Sequence, residues 1–239
     1  MGPGLNRFSM ALTDAVRDGR ISKDEYCGIY QYAFDYVLSV LEHLQNANGT
    51  IHNDIRDRNI RLQIAPGQPV IPVLLDFDAW SDASHLPVLK EGMETVGAAA
   101  VAPPEASDPA QIDGRSDVYR LAKTLADCME SQTPTPECQD FLRVATATNK
   151  EDRPTCTEAR KHPFFQNRLI DDKRAQALIV QIGGQLPQES PLPSESSWGA
   201  AGSDQGDWQQ EASDRSASRS RTPSVIVEPI DLSVTHDNR

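Results

Sequence analysis

In the stretch Ile51-His52-Asn53-Asp54-Ile55-Arg56-Asp57-Arg58-Asn59-Ile60, a carboxylate, a guanidinium and an amide fall within six residues, Asp54 to Asn59. A second acid, Asp76 in Leu74-Leu75-Asp76-Phe77-Asp78, follows Asp54 by 22 residues. A carboxylate can take the proton of a reacting hydroxyl. An amide oxygen and a further carboxylate suit a hard divalent cation, which in turn holds phosphate oxygens. An acid as base, followed by an amide and an acid on Mg²⁺, is a residue pattern of phosphoryl transfer from a nucleotide.

Such groups act only if rigid elements hold them together, and the flanking sequence supplies candidates. Residues 1–22 carry a weak amphipathic pattern (Leu5, Phe8, Ala11, Leu12, Val16) that stops at Asp18-Gly19. Ser22, with Glu25 three residues on, forms a capping box for a second helix. Tyr26, Ile29, Ala33, Val37, Leu41 and Leu44 then recur every three or four residues, so a long helix with a buried face runs up to Asn46–Gly49. Between the two acids, Arg61-Leu62-Gln63-Ile64 and Val70 through Leu75 flank the turn Pro66-Gly67-Gln68-Pro69 and predict a hairpin. Residues 79–100 read as irregular. Val118, Leu121, Ala122, Leu125, Ala126 and Met129 predict another strongly apolar helix. Shorter helices are expected around Phe141–Ala145, Thr157–His162 and residues 168–182, the last ending at Gly183-Gly184. Beyond Pro187 the composition turns to Ser, Pro, Gly, Gln and acids, which predicts a disordered tail.

Bulk composition narrows the partners. The chain of 239 residues carries a net charge of −12, so nothing global draws it to nucleic acid or to an anionic membrane, and neither is expected as a partner. Hydrophobic residues make up 38%, as expected for a normal core diluted by a polar tail. Cys27, Cys128, Cys138 and Cys156 form no C-x-x-C pair and have no histidines at zinc spacing, so they read as buried, reduced thiols. Met1-Gly2-Pro3-Gly4 opens neither a signal peptide nor a myristoylation motif, and no apolar run reaches membrane-span length. An intracellular protein, cytoplasmic or nuclear, is expected.

Further stretches line up in order with the C-terminal lobe of eukaryotic protein kinases of the serine/threonine type. Val101-Ala102-Pro103-Pro104-Glu105 resembles the Y-x-A-P-E that closes the activation loop, and Ser116-Asp117-Val118-Tyr119-Arg120-Leu121-Ala122 resembles the S-D-V-W-S-L-G of the lobe's central helix. Asp152-Arg153-Pro154-Thr155, Glu158-Ala159 and Lys161-His162-Pro163-Phe164-Phe165 resemble its R-P-T…E-A-L-x-H-P-W-F finish. The resemblance covers residues 25–166, roughly. It implies a mainly α member of the α+β class, a protein-kinase-like large lobe with small β-hairpins. The expected division is residues 1–22 as an N-terminal segment, 23–168 as the lobe, 169–186 as a helical extension and 187–239 as the tail.

The family's roles fall on matching positions. Asp54 would accept the proton of a protein hydroxyl, Arg56 would neutralise charge on the transferring group, and Asn59 and Asp76 would hold Mg²⁺ on ATP. His52 and Phe77 would brace the loop, Glu105 and Arg153 would form a buried ion pair, and Asp117 would bond the loop's backbone. The implied reaction is ATP-dependent phosphorylation of protein Ser/Thr.

Several positions depart from the pattern. Asn53 replaces the arginine that would meet an activation-loop phosphate, Asp78 replaces the glycine after Asp76-Phe77, and Pro103 replaces the alanine of A-P-E. Ala98 stands where a threonine would link Asp54 to residue 56, so that link is expected to be lost. The family's Gly-rich loop and strand lysine are not found, and Lys23 is the only lysine ahead of the loop. The small lobe is therefore expected to be missing, leaving an apolar roof uncovered and a site that is inactive or strongly impaired unless a small lobe or regulator acts in trans. Three alternatives stand beside this. One is a pseudokinase serving as a binding module or decoy; another is a truncated form of a longer kinase; the last, suggested by Asp76-Phe77-Asp78, is a small-molecule phosphotransferase of kinase-like fold. In the tail, Arg219 and Arg221 interleave with Ser218, Ser220 and Thr222, a candidate phosphorylation segment.

Overall fold

A long helix runs through the middle of the molecule and the other elements pack around it. The computed structural model describes residues 2–87 and 94–186, all within one unit, Met1–Pro191. The expected disordered tail, 187–239, with its candidate phosphorylation segment, lies outside the described residues.

The helices are α1 (Leu5–Arg17), α2 (Lys23–Asn48), α3 (Gly114–Cys128), α4 (Pro136–Ala145), α5 (Cys156–Arg160), α6 (Pro163–Gln166) and α7 (Asp172–Gly183). Strands β1 (Ile60–Gln63) and β2 (Ile71–Leu74) form an antiparallel hairpin. The protein is thus mainly helical with one small sheet, of the α+β class.

Helix α2 starts at the Ser22–Glu25 capping box and ends on Gly49, whose φ of 66° closes the last turn at no steric cost. Its buried face carries Tyr26, Tyr30 and Phe34, one turn apart, with edge-to-face rings 5.1 and 6.1 Å between centroids. The Tyr26 and Tyr30 hydroxyls donate to the Cys128 carbonyl at 2.8 and 3.2 Å, tying α2 to the end of α3. Residues 2–17 are more than weakly patterned: α1 buries Leu5, Phe8, Leu12 and Ala15 in the same core as α2 and α7. Among the described residues no helix is long and apolar enough to cross a membrane.

The hairpin pairs Ile60 with Leu74 and Leu62 with Pro72. Ile60 and Leu62 point into the core while Arg61 and Gln63 face outward, the period-2 alternation of a half-buried strand. Among the described residues the exposed large apolar side chains are Met10, Phe77, Leu86, Leu169 and Val180; of these, Phe77 belongs to the loop that carries Asp76.

Candidate functional site

The site rests on a polar face of α3 that the apolar reading of that helix passes over. Ser116, Asp117, Arg120 and Thr124 follow one another at helical spacing, and all are buried. The Asp117 carboxylate accepts from the backbone N–H groups of His52 and Asn53 at 2.7 and 2.9 Å. Burial pushes this carboxyl up, against the pull of His52 and the two N–H bonds. The Thr124 hydroxyl, which donates to the Arg120 carbonyl at 2.8 Å, also lies 3.3 Å from the Ile55 carbonyl, so α3 meets the loop on both sides of Asp54.

Residues 51–54 are pinned from the other side as well. Ile51 and Ser81 exchange backbone hydrogen bonds at 2.8 and 2.9 Å. Asn53 sits at φ 66° and sends its Nδ2 to the Ala79 carbonyl and the Ser81 hydroxyl, both at 2.9 Å. Asparagine tolerates this left-handed conformation better than most residues. His52 is buried, and burial holds its pKa below the usual value against the opposing pull of Asp117 and the Leu75 carbonyl. A neutral ring with its proton on Nε2 satisfies both neighbours: Nε2–H donates to Leu75 O at 3.0 Å, and Nδ1 accepts from Asp54 N–H at 3.2 Å. Its ring meets Phe77 edge-on at 4.6 Å, which couples the two acid-bearing loops.

The Asp54 carboxylate is held by three groups. Oδ1 accepts from the backbone N–H of Ala98 at 2.8 Å. Oδ2 accepts from Asn59 Nδ2 at 2.8 Å and lies 3.3 Å from Arg56 Nη2. Asn59 Nδ2 also donates to the Asp54 carbonyl at 2.8 Å, which leaves the Asn59 amide oxygen as the atom able to meet a cation. The expectation that Ala98 breaks the link between Asp54 and Arg56 is corrected here. The backbone of Ala98 reaches Asp54 without a side chain, and Arg56 reaches it directly.

Asp76 is exposed, at φ 62°, directly after Leu75, whose N–H donates to the Asn59 carbonyl at 2.8 Å. Among the described residues no cluster of three or more His, Cys, Asp or Glu could hold a metal by itself. One amide oxygen and one exposed carboxylate fit an ion that completes its shell with water and phosphate oxygens, as Mg²⁺ does.

The segment after residue 93 closes over this loop. Gly97, at φ 71°, lies so near the loop that a Cβ there would fall 2.0 Å from the Asn53 carbonyl oxygen. Farther along, Arg153 and Glu105 form a two-pronged pair at 2.7 and 2.9 Å, with Ser116 donating to Glu105 at 2.7 Å. The Arg153 guanidinium also lies over the Tyr119 ring at 4.7 Å. Burial raises the Glu105 carboxyl, but hydrogen bonds from Arg153 and Ser116 more than offset it and hold the group below its usual range.

The predicted residues His52, Asp54, Arg56, Asn59, Phe77 and Asp117 are thus linked by direct contacts, and Glu105 and Arg153 join them through Ser116. Arg120 and Thr124 were passed over, although their spacing from Asp117 marks the face they share. A cavity of about 480 Å³ opens beside this cluster rather than between Asp54 and Asp76. Arg56 and Asp57 form one wall, and Asp14 of α1 with Asp127 and Glu130 near the end of α3 make another acidic.

No family model matches the chain. It is similar to the protein kinase YpkA of Yersinia pseudotuberculosis serotype I (strain IP32953) and to that of Yersinia pestis, each 22% identical over 212 aligned residues. The match covers 70% of this chain and 26% of each relative, so the chain spans about a quarter of the length of the curated relatives it matches. Distant similarity to protein kinases and the kinase-like order of the site's residues agree, and the relationship is kinase-like.

Proposed function

We propose that these residues form the large lobe of a protein-kinase-like fold and that its site serves transfer of the γ-phosphoryl group of ATP to a protein Ser or Thr hydroxyl. The observation that supports this best is the Asp54 carboxylate, met by the Ala98 N–H, the Asn59 amide and the Arg56 guanidinium. In this reading the acceptor oxygen forms its bond to phosphorus as the bond from phosphorus to the β-phosphate oxygen breaks, and Asp54 takes the hydroxyl proton. Arg56 offsets negative charge on the moving group. Asn59 Oδ1 and Asp76 would hold Mg²⁺, which supplies charge neutralisation on the phosphates. The acidic walls of the neighbouring cavity fit a cationic stretch of a protein acceptor better than a small anionic one.

Catalysis of this kind is positioning and electrostatics, and orientation alone is worth about 7–11 kcal/mol. Ahead of His52 the sequence carries no G-x-G-x-x-G stretch to orient the nucleotide, and its one lysine there, Lys23, opens helix α2. By themselves the 239 residues are expected to turn over negligibly and to act, if at all, by binding. The test is Mg·ATP-dependent labelling of protein Ser/Thr by this chain and by the longest product of its transcript. Labelling is expected only from a product that carries a Gly-rich loop and a strand lysine, and it is lost in Asp54→Asn. Labelling that survives Asp54→Asn overturns the assignment. No thermal shift of the 239-residue chain by Mg·ATP is expected, and a clear shift that Asp76→Asn abolishes overturns that expectation.

A further inference from the structure

We infer that Arg120 is a positioning residue for Asp54: its buried guanidinium clamps residues 96–98 onto the catalytic-type loop and lets the site assemble without a phosphate on that segment. The inference rests on the kinase-like reading of the loop, although its test does not.

Arg120 is fully buried on α3, a position where the resembled helix motif has a serine. Its Nη2 donates to the Val96 carbonyl in a very short hydrogen bond, and its Nη1 donates to the Ala98 carbonyl at 3.4 Å. The planar fork presents two separate nitrogens, one to each carbonyl, in a fixed geometry that the single nitrogen of an ammonium does not reproduce. Asp117 on its own helix, Asp54 on the loop and Glu105 at the end of the segment supply the negative charge that a buried cation needs. Between the two clamped carbonyls lies Gly97, whose φ of 71° and lack of Cβ let the segment lie against Asn53. The next N–H, that of Ala98, meets Asp54 Oδ1 at 2.8 Å.

The same segment holds itself in place at its far end, where Val96 N–H donates to the Ala106 carbonyl at 2.9 Å. No arginine is available at position 53 to hold it from the loop side, because Asn53 is committed to Ala79 and Ser81. The cation that fixes this segment therefore comes from α3 beneath it. Its anionic counterparts are permanent carboxylates, and the assembly has no need of an added phosphate.

The test is amide hydrogen exchange and ¹⁵N–¹H spectroscopy on the 239-residue chain made unphosphorylated, as checked by mass. The Ala98 amide is assigned by its displacement in Asp54→Asn. In the unmodified chain Ala98 is expected to be protected. In Arg120→Met it exchanges at least about a hundredfold faster, while the His52 and Asn53 amides, bonded to Asp117, keep their protection. Arg120→Gln, whose amide ends near the position of the arginine Nε and falls short of both carbonyls, exchanges at Ala98 at least about tenfold faster than the unmodified chain. A folded Arg120→Met with native Ala98 protection overturns the clamp. So does native protection in Arg120→Gln, which decides the matter if the methionine variant does not fold. An Ala98 amide that is unprotected in the unphosphorylated, unmodified chain overturns the claim of assembly without phosphate. None of these readings depends on phosphoryl transfer, so their failure leaves the proposed reaction standing, and failure of the reaction leaves them intact.

Discussion

Replacing Arg153 with Met leaves the Glu105 carboxylate in place without its charge partner. The Arg153 side chain is 0% exposed and that of Glu105 9%, so solvent does little to screen either. Arg153 also donates to the carbonyls of Ala147 at 2.7 Å and Thr148 at 3.1 Å, and the variant frees both acceptors. Breaking a buried pair by removing one partner costs about 3–5 kcal/mol, a large part of a domain stability of about 5–15 kcal/mol. With a urea slope of about 2 kcal/mol per molar, the midpoint should fall by roughly 2 M. The effect should also shrink in acid. Glu105 is held below its usual value near 4.5, so the pair contributes stability above that pH and loses it as pH falls through the depressed value. In Arg153→Met burial raises the stranded carboxyl with no cation to oppose it, so it protonates at a higher pH than in the parent and the variant's deficit narrows as pH falls from the variant's midpoint to the parent's depressed one. The assay is urea unfolding followed by circular dichroism at neutral and acid pH, with Glu105→Gln and the double variant completing a cycle. The double variant should be more stable than the sum of the single losses implies. A midpoint shift under about 0.5 M at unchanged slope, or full additivity in the cycle, refutes the reasoning.

His52 is kept neutral by burial, so folding contributes stability above its usual value near 6.5 that is lost as pH falls toward the depressed folded value. A ring-proton NMR titration should place its midpoint below 6.5, and a midpoint above that value would contradict the neutral Nε2–H assignment. The four cysteines are free and buried, and burial pushes the thiols of Cys27, Cys128 and Cys138 up to about 12 and raises that of Cys156 as well. A thiol-disulfide reagent at mildly alkaline pH should therefore find no fast-reacting thiol in the native chain and all four after denaturation; a single rapid native reaction would point to an opened helix packing.

The sequence by itself determined most of the elements, because the signals that set them are local. The Ser22–Glu25 box, the three- and four-residue recurrence from Tyr26 to Leu44 and the Pro66-Gly67 turn act within a few residues of one another, and the structure places helix and hairpin there. Motif order likewise singled out Asp54, Asn59, Asp117, Glu105 and Arg153, which lie close in space. Tertiary structure alone decided how Asp54 is held. Ala98 looked like a lost side-chain link, yet a backbone N–H needs no particular side chain and shows itself only once Gly97 lets the segment approach. Arg120 stood in the sequence only as one residue of the stretch that resembles the central-helix motif. It is buried because α3 presents a polar seam as well as an apolar one; Asp117 on the same helix offsets its desolvation together with carbonyls and carboxylates from residues 54, 96, 98 and 105, which are distant in the chain. Helical spacing says which residues share a face; only the packed fold says what that face meets.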